Sequence, residues 1–223
     1  MQITPLLQIG RGVTALLGSG GKTTLMETMA RELGRRGRVI IGTTTKILPP
    51  GEFPVLLDPT EEEVCRALAA QRVVCVASGA AQGKLAAPPL AFARLAALSD
   101  YVLVEADGAH GLPLKAHAEH EPVVPEGTQR TVLVLGADGF GRPIAEVCHR
   151  SERYARLAGV SPEETVTPRL AAQVIRAEGW GDRVFVNQVE SQEAYRFAEQ
   201  LACELTIPVV AGSLHKGVYV CLF

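Results

Sequence analysis

No strongly basic tract, no close cysteine pair and no long apolar run occurs in these 223 residues. A net charge of −2 supplies no basic field of the kind that draws nucleic acid out of solution. The one arginine-rich stretch, Arg31 to Arg38, reads as the charged end of the first helix, where cations favour the C-terminal dipole. Cys65, Cys75, Cys148, Cys203 and Cys221 are scattered without a C-x-x-C spacing, which excludes a zinc knuckle and a disulfide framework. They read as small buried hydrophobes in a reducing compartment; Cys148, beside His149, is the one whose neighbourhood suggests activation. The N-terminus has no basic region leading into an apolar core, and no apolar run approaches the roughly 18 residues of a membrane span. The expectation is a cytoplasmic chain with neither a nucleic acid nor a membrane as partner.

Apolar runs alternate with amphipathic stretches instead, and 47% of the residues are hydrophobic, enough for a full core. Strands are expected at 13–17, 38–42, 72–77, 101–106, 131–136, 183–188 and 207–212. Helices are expected near 22–35, 60–71, 88–98, 167–178 and 191–204, with Asp58 or Thr60 and Ser191 as N-caps. Several strands are apolar throughout, as strands covered on both faces should be. The pattern predicts an α/β fold, a three-layer P-loop NTPase-like domain with a largely parallel sheet. One domain spans 1–223, with a helical insertion around 137–166.

The stretch "GSGGKTT", residues 18 to 24, lies between the first strand and the first long helix. In a phosphate-binding loop, glycines let backbone N–H groups turn toward the anion, a lysine reaches the β and γ phosphates, and a hydroxyl holds Mg²⁺. Gly18, Ser19, Gly20, Gly21, Lys22, Thr23 and Thr24 supply those parts, with Thr23 on the metal. The common G-x-x-x-x-G-K-[ST] spacing needs a glycine at position 16, where Leu16 stands, so this loop is two residues shorter. A compact loop of this kind resembles the ATP loop of the Mur-type amide ligases.

Glu105 and Asp107 end the strand of 101–106 at strand spacing, on one face, at the edge where open α/β sheets place ligands. Asp107 is expected on the Mg²⁺ side, binding the ion or holding one of its waters, with Glu105 orienting water and Lys22 as the third catalytic residue; the alternative is an Asp-Gly turn. Asn187 and Glu190 follow another strand at a spacing similar to the Asn-Lys-x-Asp guanine reader. The alternative is a turn in which Ser191 caps the next helix, so ATP and GTP both stay open. "TTTK", 43–46, puts Lys46 where a second phosphate-contacting lysine would sit, or is a run entering a proline turn. His110, His117 and His120 with Glu119 and Glu121 form a candidate metal or proton-transfer cluster, against the favoured reading of a solvated loop; Lys115 and His120 are candidates to line the pocket. Arg142, Arg150 and Arg153 are candidate arginine fingers, set against surface salt bridges.

The order "GSGGKTT", "TTTKI", "VLVEADGAHGLPLKAHAEHEPVVP", "VLGADGFGRPI", "CHRSE", "VTPRLAAQVI" and "VFVNQVE" resembles the YqeC family, accessory proteins of selenium-dependent molybdenum hydroxylases. His117 stands where that family's Lys-Ala-Pro has proline, and Gln188 and Glu190 depart from Asn-Lys-x-Asp. The resemblance implies a P-loop nucleotide-binding protein acting in maturation of a molybdenum hydroxylase, with that hydroxylase or a cofactor-maturation protein as partner. The expected mechanism is Mg²⁺-dependent binding and slow hydrolysis of ATP or GTP. Two alternatives are a phosphoryl- or nucleotidyl-transferase or ligase, with an acceptor pocket after Asp107, and a non-hydrolysing nucleotide sensor docking on the hydroxylase.

Overall fold

The computed structural model describes residues 2–108 and 110–222. All seven expected strands form, with shifted ends: β1 (Gly12–Gly18), β2 (Val39–Thr43), β4 (Val73–Gly79), β6 (Tyr101–Glu105), β8 (Thr128–Gly136), β10 (Arg183–Asn187) and β11 (Val209–Ser213). Short strands β3 (Val55–Leu57), β5 (Leu85–Ala86), β7 (Leu114–Lys115), β9 (Cys148–His149) and the edge strand β12 (Val218–Cys221) join them. The main sheet runs β12-β11-β10-β8-β1-β6-β2-β4-β3, with β5 on β4, and β7 pairs β9 apart from it. Only β11–β12 and β4–β5 are antiparallel among these pairings.

Period-two alternation divides the core into layers. Leu16, Ile41, Leu103, Val132, Val134 and Phe185 point to one face, where α1 (Ile3–Leu6) and α2 (Lys22–Gly34) pack. The other face splits in two. Ile40, Val74, Val76, Val102 and Val104 lie with residues of α3 (Glu61–Ala70) and α4 (Phe92–Leu98). Ala15, Leu17, Leu133, Leu135, Val184 and Val186 lie with residues of α5 (Ile144–Val147), α6 (Ser151–Ala158), α7 (Pro168–Glu178) and α8 (Gln192–Glu204). The expected three-layer α/β arrangement with a largely parallel sheet is what forms.

Local chemistry explains the helix ends. Thr60, not Asp58, caps α3: its hydroxyl accepts from the Glu63 N–H while the Glu63 carboxylate accepts from the Thr60 N–H, a capping box. Ser191 caps α8 by accepting from Ala194 N–H at 3.1 Å. α4 begins at Phe92 rather than near 88, because Pro88 and Pro89 disfavour helical backbone before them. Within 137–166 the chain forms a 3₁₀ turn, α5, β9 and α6.

Candidate functional site

β1 leads straight into the loop of residues 18–21, and α2 starts at Lys22. Close packing demands glycine here: at Gly20, with φ 77°, a Cβ would stand 2.2 Å from the backbone nitrogen of Gly136. The loop is pinned from three sides. Gly18 N–H donates to Asp107 Oδ2 at 2.7 Å, Ser19 N–H donates to the Val134 carbonyl at 2.9 Å, and Asn187 Nδ2 donates to the Gly20 carbonyl at 2.9 Å. Ser19 is buried and its hydroxyl donates to the Leu112 carbonyl.

A cavity of about 840 Å³ opens beside the loop at the carboxyl ends of the strands. Gly20, Gly21, Lys22, Thr23 and Thr24 line it, as do Glu105, Lys46, Asn187 and Arg142. Gly18, Ser19 and Glu190 are outside that lining. Lys22, 4% exposed, donates from Nζ to the Gly18 carbonyl at 2.7 Å and stands 2.9 Å from Asp107 Oδ1 and 3.8 Å from Glu105 Oε1. Thr23 Oγ1 donates to Glu105 Oε2 at 3.0 Å, so a hydroxyl and a carboxylate oxygen adjoin on the cavity wall. Burial pushes the Glu105 carboxyl up and Asp107 adds to it, against the opposing pull of Lys22, Thr23 and Lys115.

Asp107, expected to bind Mg²⁺ or to hold one of its waters, stands behind the loop rather than on the cavity wall. Asp107 has no exposed surface and is absent from the cavity lining. Its Oδ2 accepts from Gly18 N–H, lies 2.6 Å from His117 Nε2 and lies 3.2 Å from Lys115 Nζ, so it sits beneath the loop as a counter-charge. Burial raises its carboxyl, but the His117 hydrogen bond and the charges of Lys22 and Lys115 outweigh that and hold it at about 2. Glu105, bonded to Thr23, occupies the position facing the cavity.

The stretch after Asp107 departs from a solvated loop at its centre. Lys115 and His117 are buried, because β7 pairs β9 and Ala116 N–H donates to the His149 carbonyl at 3.1 Å. His117 bridges Asp107 and Glu178: Nδ1 lies 2.7 Å from Glu178 Oε2, and its N–H donates to Glu178 Oε1 at 2.7 Å. Burial lowers the His117 imidazolium, yet the bonds to Asp107 and Glu178 exceed it and the net direction is up. Lys115 also donates to the Gly108 carbonyl at 2.5 Å and to Glu121 Oε2 at 3.0 Å. His120 and Glu119 are exposed and His110 stacks on His149 with ring centroids 4.5 Å apart. Among the described residues no three His, Cys, Asp or Glu side chains gather as a metal group.

The remaining candidates divide. Asn187 is held at both ends, donating to the loop and accepting from Leu214 N–H at 3.1 Å. Glu190 is exposed; its Oε1 accepts from the Ser213 hydroxyl at 2.7 Å and its Oε2 lies 3.6 Å from Lys216 Nζ. Arg142 reaches the cavity, whereas Arg150 donates to Glu121 Oε2 at 2.7 Å, away from it. Arg153 also lies off the lining. Burial pushes the Cys148 thiol up to about 12, which makes it a poor nucleophile. Sequence reasoning missed Glu178, for which no local signal exists, and Lys84, which follows a Gly-containing turn at a strand's carboxyl end and could have been flagged by that placement.

Residues 14–152, more than half of the chain, match the model of the YqeC family, described as YqeC protein. The chain belongs to the YqeC family. An Escherichia coli (strain K12) relative, "Uncharacterized protein YqeC", is 35% identical over an alignment of 162 residues that covers 69% of this chain. The match spans 63% of that relative's length. Among solved structures, the signal recognition particle 54 kDa protein from Aeropyrum pernix K1, in complex with GDP, aligns with a TM-score of 0.42 and 14% identity. That alignment covers 96% of this chain and 44% of the other, a likeness too distant to bear on the site. No helix among the described residues is long and apolar enough to cross a membrane.

Proposed function

We propose that this YqeC chain binds a Mg²⁺–nucleoside triphosphate, ATP or GTP, on the loop of Gly20 to Thr24 and cleaves its terminal phosphate slowly. The observation that supports this most is the convergence of Lys22, Thr23 and Glu105 on one cavity beside a glycine loop at the head of α2. Hydroxyl and carboxylate oxygens are hard donors that suit Mg²⁺, and Thr23 with Glu105 would hold it. A bound Mg²⁺ neutralises phosphate charge. Lys22 exchanges its contacts with Gly18 and Asp107 for the phosphates, while the first N–H groups of α2 face the anion. In this reading Glu105, which lines the cavity, also orients the attacking water. Asp107 positions Lys22 and Gly18 without touching the ligand. Turnover is slow because, of the arginines considered above, only Arg142 lines the cavity, and it lies 3.3 Å from Glu146.

In this reading the hydrolytic cycle serves the maturation of a selenium-dependent molybdenum hydroxylase, a role supported by the resemblance alone. The deciding experiment is calorimetric titration of ATP and GTP, with and without Mg²⁺, into the chain and into Lys22→Ala. Mg²⁺-dependent binding that Lys22→Ala weakens by about a hundredfold or more supports the site. Absence of binding at millimolar nucleotide would overturn it. Loss of hydroxylase activity, with apo-hydroxylase accumulating, on deleting the chain from a host tests the role.

A further inference from the structure

The cavity continues past the phosphate loop, away from Asn187. In the order β10, β8, β1, β6, β2, β4, Asn187 ends β10 on one side of the loop-bearing β1, whereas Lys46 and Lys84 follow β2 and β4 on the other. Three strand steps separate β1 from β4, or about 14 Å at the usual spacing. A nucleotide whose base lies toward Asn187 therefore directs its terminal phosphate toward the two lysines.

Their placement is built by the backbone. Ile47 N–H donates to the Leu85 carbonyl at 3.1 Å and Leu85 N–H donates to the Ile47 carbonyl at 2.8 Å, an antiparallel bridge. Ile47 and Leu85 are buried in the core, and Lys46, Leu48 and Lys84 line the cavity. The turn before Lys84 carries Gln82 at φ 62° and Gly83 at φ 69°, which folds the chain back to deliver the lysine. Among the described residues, neither Lys46 nor Lys84 has a carboxylate in salt-bridge range. Leu48, 66% exposed, adds an apolar surface beside them.

Two unpaired ammonium groups and an exposed leucine on a concave wall are an incomplete surface, and an organic oxyanion completes it. We infer that this end of the cavity is a second subsite, which takes a small organic anion: a phosphate or carboxylate group on an apolar body. The inference rests on the nucleotide reading above, because it sets this molecule beside the terminal phosphate in the same cavity.

The test saturates the chain with Mg²⁺ and a non-hydrolysable triphosphate analogue, then titrates phenyl phosphate, benzoate and inorganic phosphate in separate calorimetric runs. Phenyl phosphate or benzoate is expected to bind about tenfold or more tightly than inorganic phosphate. Lys84→Ala is expected to weaken that binding about tenfold and Lys84→Glu to abolish it, with the analogue's affinity unchanged in both. The inference is overturned if neither organic anion binds, if neither Lys84 variant affects it, or if the Lys84 variants lose the analogue instead. Should the analogue fail to bind the unmodified chain while organic-anion binding still depends on Lys84, the nucleotide reading fails and the subsite stands.

Discussion

Asp107→Asn and Glu105→Gln should have opposite consequences, although the two carboxylates are only two residues apart. Asp107 is fully buried, with Lys22, His117 and Lys115 at 2.9, 2.6 and 3.2 Å and the Gly18 N–H at 2.7 Å. Replacing one charge of a buried ionic set while its partners stay costs about 3–5 kcal/mol. For a chain of 223 residues, at about 2–4 °C per kcal/mol, the melting temperature should fall by roughly 6–20 °C. Glu105→Gln keeps the shape and removes a charge that burial already disfavours, so the melting temperature should move by less than about 2 °C. Mg²⁺-dependent nucleotide affinity should nevertheless collapse in Glu105→Gln. Circular dichroism melts at pH 7 without nucleotide, followed by titration of each variant, read both halves. A shift under about 2 °C for Asp107→Asn, or a larger loss for Glu105→Gln, would refute the division of roles.

Stability should also depend on pH in two directions. The Asp107 carboxyl is held at about 2, below its ordinary 3.8, so its contribution is complete above the carboxylate range and is lost as pH falls toward 2. His117 is raised above 6.5, so its contribution is complete below 6.5 and is lost as pH rises through the folded value. Melting temperature is expected to plateau between about pH 4 and 6.5 and to fall on both sides; His117→Gln should remove the alkaline fall, and a fall that persists in that variant would contradict the assignment. Asn187→Ala cuts the ties to Gly20 and Leu214 and should weaken ATP and GTP by similar factors, of about tenfold. Selective loss of GTP in parallel titrations would instead mark Asn187 as a base reader.

Much of this was legible because it is local. Alternation of apolar residues fixes each strand's two faces, and Gly-Lys-Thr-Thr after a strand fixes the loop, whatever the distant chain does. The roles of Glu105 and Asp107 were not local. Glu105 ends β6 and Asp107 follows two residues later, and what separates their roles is His117, ten residues beyond Asp107, and Glu178, 61 residues beyond His117. His117 looked like a loop histidine because the two-residue pairing of β7 with β9 that buries its neighbourhood leaves no periodic pattern. Edge strand β12 was missed for a related reason: Val218 and Val220 face outward at 65% and 38% exposure, so its alternation does not read as a buried strand.

The resting loop is already satisfied by its own chain, and this sets what a ligand must do. Gly18 N–H is taken by Asp107 and Lys22 Nζ by Gly18 and Asp107, so an incoming phosphate competes with buried contacts rather than filling an empty cradle. Lys22 can leave because Asp107 keeps Lys115 and His117; Gly18 need not leave, since the cavity is lined from Gly20 onward. On the proposed function, Asp107 is a store of negative charge that holds Lys22 in the ligand-free chain and would remain neutralised by Lys115 and His117 once Lys22 turned to a phosphate. A carboxylate with a single cationic partner could not do both, because releasing its lysine would strand a buried charge. Lys115 and His117, buried at the foot of the loop, are those second and third partners.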